Sequence, residues 1–191
     1  KIYLDGTNGS GKSTLIRILS GLMQPSTGSF SINDDTYRKV DINQYRQHIG
    51  TVLNHETPFE GTILENITFN NPHISHEQIK WAIDQVDLGP FIKSLRDGLD
   101  TQIHPEGRQL SSSNAQKILL ARSIVNHPKI LFYEDPVDKM DDASAEKIID
   151  FLTQSENPWT LIVTSKNPYW KQKCQRVINL SEGKIKQDII Q

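Results

Sequence analysis

A single cysteine, Cys174, is present among the 191 residues of the sequence. One thiol cannot close a disulfide within the chain, which excludes a disulfide-stabilised fold and fits a reducing compartment. No apolar run approaches the roughly 18 residues needed to cross a bilayer, and no signal peptide is visible. The formal net charge of -2 provides no broad basic surface, so we expect no nucleic-acid partner.

An initiator methionine is also missing, and the chain starts directly in the strand-like segment KIYLDG. We therefore expect a fragment whose upstream sequence is absent. The lack of a membrane segment in such a fragment carries little information about the whole protein. The length of 191 residues suits one domain, or one domain with a subdomain, and is sufficient to bury a core.

Strand patterns occur near both ends of the chain. KIYLD alternates apolar and polar residues, whereas KILFY and WTLIVT are continuous apolar runs typical of strands buried on both faces. The remaining strand predictions are GSFSIND and IGTVLN, with a helix between them, and a hairpin in RVINLSEGKIKQ around Glu182 and Gly183.

Helix patterns fill the rest. Apolar residues recur with helical spacing over residues 75–86, 112–126 and 142–153. A further helix, KSTLIRILSGL, is predicted to end at Gly21 because glycine is common just beyond a helix C-terminus.

The order of these elements predicts the fold class. Strands and helices alternate at both ends of the chain, while the middle is mostly helical. This order predicts a parallel α/β core formed by residues 1–55 and 127–191, with a helical subdomain at residues 56–126.

The segment GTNGSGKST lies between the first strand and the first helix and matches the phosphate-binding pattern G-x-x-x-x-G-K-[ST]. Its glycines allow successive backbone N–H groups to point inward, and the helix N-terminus adds partial positive charge. Lys12 is expected to reach the β- and γ-phosphates, and Ser13 to ligate Mg²⁺. The alternative is a glycine-rich turn that only caps a helix. The predicted nucleotide-binding residues are Gly6, Thr7, Asn8, Gly9, Ser10, Gly11, Lys12, Ser13 and Thr14.

A second block resembles the ATP-binding cassette (ABC) ATPases. In LSSSNAQKILLARSIVNHPKILFYEDP, the residues in register with that family's signature and Walker B motifs are Leu110, Ser111, Gln116, Lys117, Ala121, Arg122, Pro128 and Pro136. The segments YRQHIGTVLNHETPFEGTILENI and DGLDTQIHPEGRQLS are similar to the corresponding regions of ABC exporters. The resemblance covers nearly the whole chain.

This resemblance implies a P-loop NTPase fold with a RecA-like parallel sheet flanked by helices and a helical subdomain. The antiparallel sheet that precedes this core in the family, with its adenine-stacking aromatic residue, is missing from the chain. The implied ligands are ATP and Mg²⁺. The implied partners are a second nucleotide-binding domain and a transmembrane domain of the same or a partner chain, and the implied location is the cytoplasmic face of a membrane. Ser111 is expected to contact the ATP held by the opposite subunit.

The two acids that follow the strand KILFY depart from the family pattern. Glu134 stands where the family has the Asp that helps to hold Mg²⁺, and Asp135 stands where it has the Glu that activates water. Mg²⁺ keeps water ligands that can absorb a small displacement, whereas a misplacement of about 1 Å can slow a reaction ~10²-fold. We expect metal binding to survive and hydrolysis to be impaired. Two alternatives remain: both acids are solvated strand-end residues, or Asp135 is the metal ligand, which leaves Pro136 in the position of the base.

Other motif positions also differ from the family. Ser165 occupies the position of the switch histidine and is a candidate catalytic residue, or an N-cap of the next helix. Asn54 occupies the Gln position of the Q-loop and is a candidate metal ligand, or part of a plain strand-end turn. Ser112 and Ser113 replace the signature glycines, and this segment is alternatively a set of N-cap residues for the following helix.

Three functions are considered for this chain. The first is an ATP-binding domain of an ABC exporter that couples MgATP binding and slow hydrolysis to transmembrane transport. The second is a non-hydrolytic, ATP-dependent dimerisation or regulatory module. The third, a soluble ABC protein of DNA repair or translation, is disfavoured because the sequence lacks coiled-coil heptads and a second cassette and contains the exporter-like segment GTILENI.

Overall fold

The computed structural model describes residues 1–32 and 35–191. In chain order its strands are β1 (Ile2–Asp5), β2 (Ser31–Ile32), β3 (Asp35–Thr36), β4 (Ile49–Val52), β5 (Gly61–Thr62), β6 (Gln102–Ile103), β7 (Ile130–Glu134), β8 (Thr160–Thr164), β9 (Arg176–Ser181) and β10 (Lys184–Ile190). Its helices are α1 (Lys12–Leu19), α2 (Ile42–Arg46), α3 (Ile63–Thr68), α4 (His76–Gln85), α5 (Gly89–Ser94), α6 (Ser112–Ile124), α7 (Asp142–Thr153) and α8 (Tyr169–Lys173).

The central sheet has six strands in the order β10-β9-β1-β8-β7-β4. Every neighbouring pair from β9 to β4 is parallel, and β10 alone pairs antiparallel, with β9. Strand β7 lies between β4 and β8, and the residues from Leu131 to Glu134 are buried, as its apolar sequence predicts. The predicted parallel α/β core is confirmed.

Two apolar layers cover the sheet. The smaller layer, on the side of α1, contains Leu4, Ile16, Leu53 and Phe132. The larger layer includes the apolar faces that helical spacing predicts for α4 and α7, namely Ile79, Ala82, Ile83 and Val86, and Ala145, Ile148, Ile149 and Leu152. Helices therefore flank the sheet on both faces, which is the arrangement expected for parallel strands joined by crossovers.

Local signals fix most element ends. Helix α7 coincides with its predicted range, and α4 starts after Ser75, whose side chain forms a capping box with Gln78. Helix α1 stops two residues before Gly21, whose positive φ of 74° terminates the helix. The predicted strand GSFSIND is represented by β2, which pairs with β3, while Asn33 and Asp34 lie outside the described residues.

Helices α3 to α6 occupy the middle of the chain, together with the short β5–β6 pair. Helix α6 packs against α3, α4 and strand β4, so it connects this helical part to the edge of the sheet. The division of the chain into a core and a separate subdomain stays a prediction. In the described part of the chain, no helix is both long and apolar enough to traverse a bilayer.

The parallel strands place several predicted site residues at one edge of the sheet. The phosphate loop follows β1, Asn54 follows β4, Asp135 follows β7 and Ser165 follows β8. The carboxyl ends of parallel strands share an edge, and ligands of such sheets bind outside that edge.

Candidate functional site

The loop between β1 and α1 is a tight turn that requires glycine. Gly6, Gly9 and Gly11 have φ angles of 139°, 80° and 102°, which side chains rarely adopt. A Cβ at Gly6 would lie 2.3 Å from the carbonyl oxygen of Leu180, so the loop also packs closely against β9. The backbone N–H of Gly183, in the hairpin turn after β9, donates to the carbonyl oxygen of Ser10 at 3.0 Å.

The N-terminus of α1 is suited to an anion. Its cap residue, Gly11, provides no side-chain hydrogen bond, and the first turn contains no acidic residue. The first N–H groups of the helix therefore have no acceptor from a side-chain cap, and the helix dipole favours negative charge at this point.

The Lys12 ammonium group lies across this loop. Its Nζ donates to the carbonyl oxygens of Gly6 and Thr7, at 2.6 and 3.0 Å, and lies 3.4 Å from Ser10 Oγ. Two of these three acceptors are neutral backbone oxygens, and no carboxylate pairs with Lys12 in the described ranges. The ammonium charge is therefore available to an anion bound in the loop.

These residues line a pocket of about 420 Å³ at the carboxyl edge of the sheet. The sequence-predicted residues that the structure brings together there are Gly6, Asn8, Gly9, Ser10, Gly11, Lys12, Ser13, Thr14, Asn54, Asp135 and Ser165. We call this the phosphate pocket. Thr164 and Lys166 also line it and were missed, although their positions beside Ser165 at the end of β8 are visible in the sequence.

Glu134 and Thr7 are not among the residues that line the phosphate pocket. Glu134 instead lines a neighbouring cavity, which also contacts Asn54, Asp135 and Lys166, and only 1% of its surface is exposed. It projects to the same side of β7 as Phe132, which packs with Ile16 of α1. One carboxylate oxygen, Oε2, accepts a hydrogen bond from the backbone N–H of Asn54 at 3.1 Å. The other, Oε1, is buried without a hydrogen-bond partner among residues 1–32 and 35–191.

This unpartnered oxygen gives a physical test of the implied Mg²⁺. A buried carboxylate oxygen without a donor is costly unless a cation or water satisfies it, so Glu134 fits a metal ligand. The described residues contain no group of three or more His, Cys, Asp or Glu side chains that could hold a metal on their own. A single buried carboxylate oxygen is compatible with Mg²⁺, which is commonly held by one or two carboxylates together with waters and substrate phosphates.

Asp135 has a left-handed backbone conformation, with φ at 45°. Its backbone N–H donates to the carbonyl oxygen of Thr164, and its side-chain Oδ1 accepts from the N–H of Lys166, both at 2.9 Å. The acid is thus attached by its backbone and its carboxylate to the end of β8. Part of the acceptor capacity of the carboxylate is already in use.

Ser165 is held by local contacts. Its Oγ accepts a hydrogen bond from the N–H of Asn167 at 3.1 Å, and its carbonyl oxygen accepts one from the Tyr3 hydroxyl at 2.5 Å. Burial raises the pKa of Tyr3 to about 12, so the phenol remains a donor near neutral pH. The N-cap of α8 is Pro168, so Ser165 is not the N-cap of that helix.

Ser111 does not line the phosphate pocket formed by its own chain. It is the N-cap of α6, and its Oγ accepts a hydrogen bond from the N–H of Asn114 at 3.2 Å. The residue is exposed, so its hydroxyl can be reached from outside the chain. Ser111 therefore caps α6, which agrees with the alternative interpretation of this segment as a set of N-cap residues.

Comparison with known proteins identifies relatives of this chain. Residues 1–138 match the family model described as "ABC transporter". Over 154 residues, the chain is 35% identical to the ATP-dependent permease MDL1 of Candida albicans. This alignment covers 80% of the chain and 22% of the permease. Over 184 residues, it is 30% identical to the alpha-hemolysin translocation ATP-binding protein HlyB of Escherichia coli, with coverage of 96% and 26%. The chain therefore spans about a quarter of the length of these two relatives.

A solved structure shares the fold. The structure of a bacterial Atm1-family ABC exporter with ATP bound superposes with a TM-score of 0.90 at 24% sequence identity. The match covers 98% of this chain and 33% of the other one. It establishes that the sheet and helices described above form the P-loop NTPase fold of such a protein.

Proposed function

Because this chain belongs to the ABC transporter family, we propose that it is the ATP-binding domain of an exporter, which couples MgATP binding and slow hydrolysis to transport across a membrane. The observation that carries the proposal is the phosphate pocket, where the α1 N-terminus and Lys12 meet the carboxyl ends of β4, β7 and β8. The names of the relatives, an ATP-dependent permease and a translocation ATP-binding protein, support the exporter assignment.

ATP binding is assigned to the glycine-rich loop and the first turn of α1. Gly6 and Gly11 permit the loop conformation, and the backbone N–H groups of the helix N-terminus face the phosphates. Lys12 exchanges its contacts with loop carbonyl oxygens for contacts with the β- and γ-phosphates, which are stronger because the acceptors are charged.

Glu134, Ser13 and Asn54 are the residues that would hold Mg²⁺. Bound to ATP, the ion would neutralise charge that develops on the phosphate oxygens. The unpartnered Oε1 of Glu134 would supply the carboxylate ligand. Ser13 follows Lys12 in the first turn of α1, and Asn54 lies against Glu134 through its backbone N–H.

Hydrolysis is proposed to be slow because the side chain of Asp135 is short and one of its carboxylate oxygens already accepts a hydrogen bond from the protein. Its carboxylate is one methylene shorter than the family's glutamate, and Oδ1 is bound to the Lys166 N–H. A displacement of about 1 Å from the attacking water can lower the rate ~10²-fold. Ser165 offers a hydroxyl where the family has histidine, and that hydroxyl cannot become cationic.

The partners follow from the family. We propose that a second nucleotide-binding domain closes over the phosphate pocket and supplies a Ser111-type contact to the bound ATP. A transmembrane domain of the same or a partner chain would respond to this closure, with the present domain at the cytoplasmic face. No nucleic-acid partner is proposed.

The alternative is a non-hydrolytic, ATP-dependent dimerisation or regulatory module. The observation that favours it is the hydrogen bond between Asp135 and Lys166, which ties the candidate base to the protein rather than leaving it fully available to water. In that case, ATP binding would assemble the dimer, and the acid would only position the end of β8.

The deciding experiment is steady-state phosphate release by the intact transporter in lipid, at saturating MgATP. Lys12→Ala provides the background, and ATP binding is measured in parallel. Lys80→Ala is a matched control because Lys80 is exposed on α4 and forms no ion pair with the described residues.

Release well above the Lys12→Ala background supports a working transport ATPase. Release at the background with ATP still bound favours the regulatory module. Absence of Lys12-dependent ATP binding would overturn both proposals.

A further inference from the structure

Gln116 lies in the second turn of α6 and is only 7% exposed. Its amide nitrogen, Nε2, donates to the carbonyl oxygen of Asp135 at 3.0 Å and to Oδ1 of Asp138 at 2.6 Å. Its amide oxygen, Oε1, accepts from the N–H of Lys139 at 3.1 Å. One buried side chain therefore makes three hydrogen bonds to the turn that follows β7.

That turn contains the candidate base. Asp135 holds a left-handed conformation, which is uncommon for residues other than glycine, although aspartate adopts it more readily than most. Thr164 and Lys166 bind Asp135 from the side of β8, and Gln116 binds its carbonyl oxygen from the side of α6. The orientation of the acid therefore depends on both neighbours.

The contact also joins two functional segments. Gln116 and Ser111 lie five positions apart at the start of one continuous helix, so movement of one displaces the other. Within residues 1–32 and 35–191, no other α6 side chain is hydrogen bonded to residues 135–139. Ser123 also bonds α6 to β7, but its partner is Tyr133, before the turn.

We infer that Gln116 is a positioning residue that links the start of α6 to the orientation of Asp135. This inference rests on the proposed function and adds a regulatory link to it. When the start of α6 engages the ATP of the opposite subunit, the helix transmits its position through the Gln116 amide to the turn that bears the base. In this role Gln116 acts through the turn that contains Asp135 and not directly on the nucleotide.

The principal test is Gln116→Met in the intact transporter, which removes all three hydrogen bonds and keeps a side chain of similar length. We expect kcat for phosphate release to fall about tenfold or more, because Asp135 loses its orientation. The KM for MgATP should change less than about twofold, because the phosphate loop is intact. Ser123→Ala is the matched control, since it removes a buried α6–β7 hydrogen bond without touching the turn.

Rescue separates positioning from general destabilisation. Gln116→Glu places a carboxylate against the Asp135 carbonyl oxygen and the Asp138 carboxylate, and should also lower kcat. Adding Asp138→Asn lets the new amide donate to the carboxylate introduced at position 116, which restores the bond to position 138 but not the bond to the Asp135 carbonyl oxygen. The double variant should therefore recover part of the lost kcat, which a merely unfolded helix would not do.

A second readout does not require hydrolysis. A non-hydrolysable ATP analogue with Mg²⁺ should slow amide hydrogen exchange of residues 134–140 in the wild type, and this slowing should disappear in Gln116→Met while the analogue remains bound. Equal slowing in both, or an equal loss of kcat in Gln116→Met and Ser123→Ala, would overturn the inference. Failure of the wild type to bind the analogue would instead overturn the proposed function, and this inference with it.

Discussion

The carboxylate of Asp135 accepts a hydrogen bond from the backbone N–H of Lys166, with 2.9 Å between Oδ1 and the nitrogen. This bond connects the end of β7 to the residue that follows Ser165 at the end of β8. A carboxylate has about four lone-pair sites, so Oδ2 remains able to accept a proton from water. The proposed base therefore keeps an acceptor for this proton, but its side chain is one methylene shorter than a glutamate and one of its oxygens is bound to the protein.

Reversing the order of the two acids should therefore increase hydrolysis. In the double variant Glu134→Asp with Asp135→Glu, the base regains one methylene and the metal ligand loses one. We expect phosphate release to rise about tenfold or more, in line with the sensitivity of catalysis to displacements of about 1 Å. Steady-state release at saturating MgATP measures this change.

Asp135→Asn should reduce release to the Lys12→Ala background while ATP binding persists. A double variant no faster than the wild type would show that the order of the acids does not limit the rate.

Short sequence patterns predicted two parts of the site, the phosphate loop and the buried strand that ends at Glu134. The glycine pattern around Lys12 predicted a phosphate loop, and the structure places that loop between a strand and a helix. The apolar run KILFY predicted a buried strand, which explains why Glu134 at its end is buried. In both cases the sequence signal lies within a few consecutive residues, although the contacts that complete the site come from distant parts of the chain.

The contacts that the sequence did not predict join distant segments. Tyr3 and Ser165 are separated by 162 positions and meet because β1 pairs with β8. The sequence identifies Gln116 only as part of a family motif, and its bond to the Asp135 carbonyl oxygen exists because α6 lies beside the end of β7. Periodicity along one chain does not specify such pairings, since they depend on strand order and helix placement.

Two glycines of the loop should respond differently to alanine. In Gly6→Ala, the new Cβ would lie 2.3 Å from the backbone oxygen of Leu180, and we expect loss of ATP binding with at least ~2 kcal/mol of destabilisation. In Gly9→Ala, the new Cβ would have no atom within 4 Å beyond the adjacent residues, so only the positive φ of 80° disfavours folding, by about 1 kcal/mol. Denaturant unfolding and ATP titration measure both effects. Equal free energies of unfolding of the two variants would contradict the close packing of the loop against β9.

Ser111 permits a test that separates helix capping from contact with ATP. Asp and Asn are both good N-caps, so Ser111→Asp and Ser111→Asn should preserve α6. Asp also places a negative charge where the opposite subunit's triphosphate is proposed to bind. We expect at least about tenfold slower phosphate release for Ser111→Asp than for Ser111→Asn, equivalent to ~1.4 kcal/mol, with similar unfolding midpoints. If both variants release phosphate at the same rate, Ser111 serves only as a cap.

Asp5 connects the base of the phosphate loop to α8 and predicts a pH-dependent contribution to stability. Its Oδ2 lies 2.7 Å from Lys171 Nζ, and its Oδ1 accepts from the N–H of Gly6 at 2.7 Å. The hydrogen bond from Lys171, followed by that from Gly6, holds the pKa of Asp5 below its ordinary value. A carboxylate whose pKa is lowered by folding stabilises the native state above its unfolded pKa of about 3.9. That stabilisation is lost as the pH falls through the folded pKa.

Lys171→Met should therefore destabilise the protein at pH 7. The destabilisation should become smaller as the pH is lowered and Asp5 is protonated. The effect at pH 7 should be a few tenths to about 1 kcal/mol, because both side chains are partly exposed and solvent screens the pair. Urea unfolding midpoints between pH 7 and about pH 3 would measure the difference from the wild type. Lys80→Met, at an exposed lysine on α4 without an ion pair in the described ranges, should show a small difference that does not vary with pH. A Lys171→Met difference that stays constant down to pH 3 would show that the pair does not lower the pKa of Asp5.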